Sequence, residues 1–129
     1  MLVLDTSILI DLSRKHEKTF QKMAILSQKY LSEYFIAFPT EAEFLYGLRN
    51  KSERSRHKEM VFLSQFPVLH TTQRTAKIMA IFRDKYSPKG KVFSFADLLI
   101  AAIAYENNMS LVTYDKSFQH IKELNLEVI

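Results

Sequence analysis

Four acidic residues of this sequence stand at positions where carboxylates can act together on a metal ion. Asp5 and Asp115 each end a short apolar run, "LVL" and "LVTY", that has the composition of a β-strand. Glu43 and Asp97 fall in the first turns of two predicted helices, one after "YFIAF" and one in "SFADLLIAAIA". Carboxylates held close together repel one another, and a hard divalent cation such as Mg²⁺ or Mn²⁺ relieves that repulsion. Such an ion can activate water and stabilise charge on a phosphodiester, so the acids indicate a metal-dependent phosphodiesterase.

The elements that would position these acids alternate between strand and helix. Hydrophobic periodicity and turn residues predict strands at residues 2–4, 34–38, 67–70, 111–114 and 126–129. The same signals predict helices at residues 6–15, 17–32, 40–48, 52–65, 72–86, 94–108 and 116–124. This alternation predicts an α/β fold in which helices flank a mainly parallel central sheet of four to five strands. In such a sheet the residues that follow the strands gather along one edge, and all four acids would meet there.

Each acid also has a purely structural explanation, as part of a helix cap. Thr40 with Glu43, and Ser94 with Asp97, have the spacing of capping boxes. The acids that follow the first and fourth strands can accept hydrogen bonds from the helices after them, and acidic residues suit the positive end of a helix dipole. Capping explains any one acid taken alone. The recurrence of an acid at four positions along one predicted edge favours a shared site.

Composition limits the class of protein. The 129 residues suit one compact domain, which we expect to span residues 1–129, and 47% of them are hydrophobic. The absence of cysteine excludes disulfides, thiolate metal sites and cysteine nucleophiles, and two glycines leave no glycine-rich phosphate loop. No apolar run approaches the roughly 20 residues of a membrane span, and no signal peptide is visible. We therefore expect a cytoplasmic protein.

Positive charge is concentrated in two stretches of the chain. In total, 18 Lys and Arg stand against 14 Asp and Glu, which gives a net charge of +4. Residues 49–58 contain five basic residues and one Glu, and residues 74–91 contain six basic residues and one Asp. These stretches favour a polyanionic partner, although solvated helix faces explain them equally well. Four histidines lack any metal-ligand spacing and are predicted to be surface or packing residues, at positions 16, 57, 70 and 120.

Four motifs, in their order and spacing, resemble the PIN-domain ribonucleases, and among them the VapC-type toxins of bacterial and archaeal toxin–antitoxin pairs. The motifs are "LVLDTS", "EFLYG", "FADLLIAAIA" and "LVTYDKSF", and the resemblance covers essentially the whole chain. It implies a single domain of the PIN fold. It also implies a metal-dependent endoribonuclease, in which a water activated by the metal attacks the RNA phosphorus in line and leaves a 5′-phosphate and a 3′-hydroxyl.

The resemblance also assigns roles to individual residues. The family's acids, which typically coordinate one or two Mg²⁺ or Mn²⁺ ions, match Asp5, Glu43, Asp97 and Asp115. Glu43, rather than its neighbour Glu41, is the acid of the "E-x-x-x-G" motif, and residues two apart on a helix point to different faces. Ser7 and Thr113 fall where polar groups flank the site, which implies supporting roles.

RNA and protein partners are further expectations. Basic residues that would border the cleft lie near the second and third acids in sequence, at Arg49, Lys51, Arg54, Arg56, Lys89 and Lys91. The resemblance implies a small antitoxin that masks the cleft, and a homodimer. Candidate dimer contacts are apolar helix residues that core packing explains equally well, Phe62, Phe66, Ile81 and Phe82.

Other small α/β classes fit the sequence less well. A receiver-type phosphoacceptor needs an acidic pair near the first strand, and a haloacid-dehalogenase-like phosphatase needs Asp-x-Asp where this chain has "DTS". A flap nuclease needs extra helices for which 129 residues leave no room. Two alternatives stay open, a catalytically silent PIN-fold module that binds nucleic acid or protein, and a housekeeping RNA-processing nuclease. Metal-dependent turnover excludes the first, and an antitoxin partner argues against the second.

Overall fold

The structure, a computed structural model, describes residues 1–30, 33–86 and 93–129. Its strands are β1 Leu2–Leu4, β2 Tyr34–Ala37, β3 Val68–Leu69, β4 Ser110–Thr113 and β5 Leu126–Val128. They form a sheet in the order β3-β2-β1-β4-β5, and every neighbouring pair is parallel. The predicted α/β fold, with helices around a parallel sheet, is therefore confirmed.

Helices connect these strands throughout the described residues. They are α1 Thr6–Ser13, α2 Glu17–Lys29, α3 Phe38–Tyr46, α4 Glu53–Leu63, α5 Thr75–Tyr86, α6 Phe95–Glu106 and a 3₁₀-helix at Lys116–His120. Side chains cap three of the α-helices by accepting a backbone N–H of the first turn, those of Asp5, Ser52 and Ser94. Within the described ranges, no helix is long and apolar enough to cross a membrane.

The sheet separates two apolar clusters, because successive side chains of a strand point to opposite faces. Val3 of β1 packs on one face with residues of α5 and α6, whereas Leu2 and Leu4 pack on the other face with residues of α1 and α2. Residues 98–104 of α6 are all buried, as the continuous apolar run in the sequence predicts. Helices on both faces therefore hold β1 in the middle of the molecule, with its carboxyl end at one edge.

The start of α3 differs from the prediction. β2 ends at Ala37, and Phe38 begins α3 two residues earlier than expected, with Pro39 in the first turn. Proline is tolerated there because its missing N–H has no intrahelical partner and its φ suits a helix. The predicted capping box at Thr40 is therefore wrong, since Ala37 is the N-cap residue and offers no side-chain hydrogen bond.

Two other helix ends also differ from the prediction. The helix predicted over 116–124 is only the short 3₁₀-helix, because the chain turns after His120 so that Ile121 and Leu124 enter the core. The structure ends α2 at Lys29, whereas the prediction extends it to residue 32. Residues 31 and 32 lie outside the described part of the chain, as do Pro88 and Gly90, the predicted end of the fifth helix.

The four residues considered as dimer contacts differ in exposure. Phe82 is only 2% exposed and packs edge-on against Tyr105, so it is wrong as a surface residue. Phe62 and Phe66 are partly buried and contact each other beside the α1/α2 face of the core. Ile81 is 57% exposed on α5. Of the four, Ile81 alone is strongly exposed.

Candidate active site

Asp5 lies where β1 ends and α1 begins, at the edge toward which all five strands run. Its Oδ1 accepts the backbone N–H of Thr6 at 2.9 Å and so caps α1. Its Oδ2 accepts the hydroxyl of Thr113 at 2.7 Å, and Thr113 is the fully buried last residue of the neighbouring strand β4. Two adjacent elements therefore fix both carboxylate oxygens of Asp5.

Asp115 follows β4 and is joined to Asp5 through the same threonine. Its backbone N–H donates to Thr113 Oγ1 at 3.0 Å, while that hydroxyl donates to Asp5. Asp115 Oδ1 accepts the backbone N–H of Ser117 at 2.9 Å and thereby caps the 3₁₀-helix. Thr113 thus connects the two acids that follow neighbouring strands.

The other two acids come from helices. Ser94 caps α6 by accepting the N–H of Asp97 at 3.1 Å, which places Asp97 in the first turn as predicted. Glu43 lies in the second turn of α3 rather than the first, because the helix begins at Phe38, and Glu41 is the acid of the first turn. The helix dipole, which is strongest within the first turn, therefore does less for Glu43 than the sequence predicted.

All four predicted acids line one cavity of about 380 Å³. The cavity lies at the carboxyl edge of the sheet, and its lining comes from α1, α3, α6 and the segment after β4. Ser7 also lines it, whereas Glu41 is not part of the lining found in the described residues. The structure therefore brings the four acids and Ser7 together around one space, and Thr113 lies behind that space.

Burial governs the ionisation of Asp5. Its side chain is only 9% exposed, and this burial raises the pKa of Asp5. The hydrogen bonds from Thr113 and Thr6 oppose the rise, and the nearby charges of Asp97 and Asp115 add to it. The ionised form of Asp5 is therefore energetically unfavourable unless a positive group lies close to it.

The chemistry of these donors fits a hard divalent cation. All four are carboxylates, the ligands that Mg²⁺ and Mn²⁺ prefer, and each carboxylate oxygen that accepts one hydrogen bond keeps a second lone pair. In the described residues, no three His, Cys, Asp or Glu side chains are already close enough together to hold a metal. Binding of a metal ion would therefore require acidic side chains to rotate toward the cavity. Glu43 is exposed and so is free to rotate in this way.

The capping roles weighed from the sequence are observed at three of the four acids. Asp5 and Asp115 each cap the helix that follows, and Asp97 supplies the N–H that Ser94 accepts. Capping at the fourth acid, Glu43, is not observed, because Thr40 is not the N-cap residue of α3. Its presence in the cavity lining is thus not explained by a cap.

Thr40 was missed as a residue of this region. It is fully buried, and its hydroxyl oxygen lies 3.0 Å from that of Thr6, so it links α3 to the start of α1. Sequence reasoning assigned Thr40 to a cap, and no pattern in the sequence pairs it with a residue 34 positions away. Only the earlier start of α3 brings its hydroxyl to that face.

Four of the predicted RNA-binding residues lie in the described part of the chain, and none of these four is in the cavity lining. Arg49 packs over the ring of Tyr46 at 4.3 Å and donates to its hydroxyl at 2.7 Å. Lys51 pairs with Glu59 at 3.7 Å, and the other two described basic residues, Arg54 and Arg56, are exposed on α4. The remaining two, Lys89 and Lys91, lie outside the described residues.

The histidines take the surface positions predicted for them. All four are exposed, and none lines the cavity as the described residues form it. His16 Nδ1 lies 2.9 Å from the hydroxyl of Thr19, and the His70 ring lies 6.1 Å from that of Phe38. Acid–base chemistry by histidine therefore has no support at this site.

Known proteins share this architecture and parts of this sequence. The PIN domain family matches residues 2–124. Ribonuclease VapC2 of Rickettsia felis is 30% identical over 128 residues, which span 97% of this chain and 95% of that protein. A chain of VapBC2 from Rickettsia felis, solved bound to a DNA fragment from their promoter, superposes with a TM-score of 0.82 at 27% identity, over 99% of this chain and 98% of that one.

A second solved structure has the same fold. A chain of VapBC-1 from nontypeable Haemophilus influenzae superposes with a TM-score of 0.82 at 24% identity, over 98% of this chain and 96% of that chain. At that identity the likeness concerns the fold alone. The chain belongs to the PIN domain family, and its relatives place it among the VapC-type ribonucleases of that family.

Proposed function

We propose that this protein is a metal-dependent endoribonuclease and the toxin of a toxin–antitoxin module. The observation that carries the proposal is the convergence of Asp5, Glu43, Asp97 and Asp115 on one cavity, in a chain that matches Ribonuclease VapC2 over nearly its whole length. These four acids would hold one or two Mg²⁺ or Mn²⁺ ions, whose charge would activate a water molecule and neutralise the phosphate of the RNA.

The reaction is hydrolysis of a phosphodiester. The water oxygen bonds to phosphorus, the bond from phosphorus to the 3′ oxygen breaks, and the products carry a 5′-phosphate and a 3′-hydroxyl. The role of this chain's own residues in the reaction is to position the acids. Thr6 and Thr113 prevent Asp5 from rotating away from the cavity, and Ser94 fixes the turn that carries Asp97. Asp5 would therefore lose little free energy in reorganisation when the ion binds, and the rotation that binding requires is left to less constrained ligands such as the exposed Glu43.

Exposed groups outside the cavity lining would supply contacts for RNA. Arg54 and Arg56 on α4 are exposed and suit phosphate oxygens. Phe95 is 70% exposed at the start of α6, between Ser94 and Ala96, which both line the cavity. Such a ring at the mouth of a nuclease site can stack on an unpaired base, which is the usual mode of recognition in single-stranded RNA.

An apolar groove supports an antitoxin as the partner. The groove has a volume of about 750 Å³ and runs between α1, α2 and α4, with apolar lining residues that include Leu12, Phe20, Met23, Val61, Phe62 and Phe66. Lys15, Lys58 and Glu59 also line the groove, and Glu59 is paired with Lys51. A small antitoxin with an apolar helix and acidic groups facing the two lysines would suit this surface, and the VapBC name of the structural relatives denotes a family of toxin–antitoxin systems.

Two further parts of the proposal concern assembly and location. Exposed apolar side chains on α3 and α5, among them Phe38, Leu45 and Ile81, support a homodimer formed through these helices. A toxin that cleaves RNA and is masked by an antitoxin would act in the cytoplasm.

Cleavage of a mixed pool of structured RNAs tests the activity. Wild-type protein is compared with Asp97→Asn and with Asp84→Asn, which changes an exposed aspartate of α5 outside the cavity. We expect wild type and Asp84→Asn to cut RNA with Mn²⁺ or Mg²⁺ and to stop with EDTA, and Asp97→Asn to be inactive. Equal cutting by all three proteins would contradict the site, and an inactive wild type that also binds no Mn²⁺ would contradict the function.

A further inference from the structure

A second polar cluster lies behind the end of β4, outside the cavity. We call it the Asp11 cluster, and it consists of Asp11, His16, Thr19 and Tyr114. The Tyr114 hydroxyl donates to Asp11 Oδ2 at 2.6 Å, and the Thr19 hydroxyl donates to the same oxygen at 3.2 Å. The hydroxyl oxygens of Thr19 and Tyr114 are also in direct contact, so their two protons are shared among the three oxygens, and Thr19 is 1% exposed. The cluster is therefore a well-connected contact between the end of β4 and the α1–α2 pair.

The position of Tyr114 in the chain connects this cluster to the proposed active site. Tyr114 stands between Thr113, whose hydroxyl donates to Asp5, and Asp115, which lines the cavity. Successive residues at a strand end point to opposite sides, and Tyr114 packs with the apolar cluster of α1 and α2. The segment that carries Asp115 is thus held on both sides.

Both attachments reach the same helix. Thr113 bonds to Asp5 at the N-cap of α1, and Tyr114 bonds to Asp11, which lies nearly two turns further along that helix. Pairing with β1 and β5 holds β4 as far as Thr113, and Tyr114 is the first residue beyond that pairing. Two points along one rigid helix fix the direction of the backbone that leads into Asp115.

We propose that Tyr114 is a positioning residue, whose hydrogen bond to Asp11 directs Asp115 toward the metal-binding cavity. The inference rests on the proposed function, since it assigns a task in the same site. Tyr114 touches neither substrate nor metal and acts through the backbone of Asp115 and Thr113. Its removal should therefore weaken metal binding and turnover while leaving the binding of RNA unchanged.

The chain offers a matched control for the loss of a tyrosine–carboxylate hydrogen bond. The Tyr30 hydroxyl bonds to Glu127, and the Tyr86 hydroxyl bonds to Glu123. These carboxylates each also bind a lysine, and none of the four tyrosine and glutamate residues lines the acidic cavity formed by the described residues. Tyr30→Phe therefore removes a bond of the same kind with a similar effect on folding alone.

The test measures Mn²⁺ affinity by calorimetry, together with kcat and KM for RNA cleavage, in wild type, Tyr114→Phe and Tyr30→Phe. We expect Tyr114→Phe to weaken Mn²⁺ binding by about tenfold and to lower kcat, with an unchanged KM for RNA. Tyr30→Phe should bind Mn²⁺ as wild type does. Asp11→Ala removes the acceptor while keeping the ring of Tyr114, and it should reproduce the defect even if Tyr114→Phe folds poorly.

The outcomes separate this proposal from the function on which it rests. If wild type binds Mn²⁺ and cuts RNA while Tyr114→Phe and Asp11→Ala match it, the positioning role is overturned and the nuclease stands. An equal loss of Mn²⁺ affinity in Tyr30→Phe would also overturn it, because the effect would then reflect stability in general. If wild type neither binds Mn²⁺ nor cuts RNA, the function fails and the positioning role fails with it.

Discussion

Asp5 serves the fold and the proposed chemistry with the same two oxygens. One oxygen caps α1 and the other accepts the hydroxyl of Thr113, so the carboxylate is fixed whether or not a cation is present. Burial nevertheless raises the pKa of Asp5, with help from the charges of Asp97 and Asp115. Under the proposed function, a bound cation would relieve this repulsion, whose cost the metal-free protein bears in its stability.

That conflict predicts an opposite response of activity and stability to Asp5→Asn. Asparagine keeps an acceptor for the N–H of Thr6 and removes the buried charge. We expect RNA cleavage to fall by at least about 100-fold, since a ligand should matter more than the outer partners that cost 10–100-fold. The melting temperature of the metal-free protein at pH 7 should stay equal or rise, as measured by thermal unfolding with EDTA.

The same substitution has a defined pH dependence. Asp5 in the folded protein keeps its proton at pH values where the unfolded chain, with an ordinary value of 3.8, has lost it. The stability of metal-free wild type should therefore fall as the pH rises from about 4 through the raised pKa of Asp5. The melting temperature of Asp5→Asn relative to wild type should increase over that interval. A difference that does not vary with pH would contradict the raised pKa.

The sequence predicts residues whose position depends on local structure, but it does not predict hydrogen bonds between residues that are far apart in the chain. The positions of the acids follow from strand ends and first turns, and the structure places all four around one cavity. The bonds from Thr40 to Thr6 and from Tyr114 to Asp11 join residues far apart in sequence. Such pairs depend on the rotation of helices about their axes, and no periodicity in a single chain records that rotation.

At the scale of the element, α6 and α4 are both capped by a serine, but only α6 carries an acid of the cavity in its first turn. Ser94 accepts the N–H of Asp97 at the start of α6, and Ser52 accepts the N–H of Ser55 at the start of α4. Replacing either serine with alanine should cost about 1 kcal/mol of stability. We expect Ser94→Ala to reduce kcat for RNA cleavage further than its loss of stability explains, and Ser52→Ala to leave kcat unchanged.

Denaturant unfolding and initial cleavage rates on the same preparations check this prediction. The rates are compared at a temperature at which both variants are fully folded. Equal rates for the two variants would mean that the cap of α6 serves the helix alone and has no part in placing Asp97.

Helix interiors were predictable where helix ends were not. The buried interior of α6 follows directly from its continuous apolar run. The start of α3 was misplaced because Phe38 suits a strand and Pro39 suits either the end of a strand or the first turn of a helix. Packing decides between such alternatives, and it shortened the predicted helix after Asp115 for the same reason.

At the scale of the molecule, the groove between α1, α2 and α4 lies apart from the four acids, so binding of the antitoxin and cleavage should separate by mutation. Phe20 is 48% exposed and lines the groove, whereas Ile25, also on α2, is 69% exposed and does not belong to its lining in the described residues. We expect Phe20→Asp to cut RNA as wild type does but to bind the proposed antitoxin at least about tenfold more weakly.

Ile25→Asp is the matched control, because it places the same charge on the same helix. Inhibition of RNA cleavage by increasing amounts of the purified antitoxin measures both variants. Inhibition of Phe20→Asp at the same antitoxin concentration as wild type would show that the partner uses another surface. The alternation of strands and helices predicted the sheet, but the groove depends on the spacing of three helices, which composition does not reveal.

The central place of β1 has a consequence for how the protein is made. β1 is synthesised well before β4, with which it pairs, and Asp5 meets the hydroxyl of Thr113 across 108 positions of sequence. At about 5–20 residues per second, a ribosome needs on the order of 5–20 s to add the residues between them. A growing chain therefore carries Asp5 long before it carries Asp115. Under the proposed mechanism, a nascent chain cannot complete its set of four acids, and so cannot cleave RNA, before Asp115 has been added.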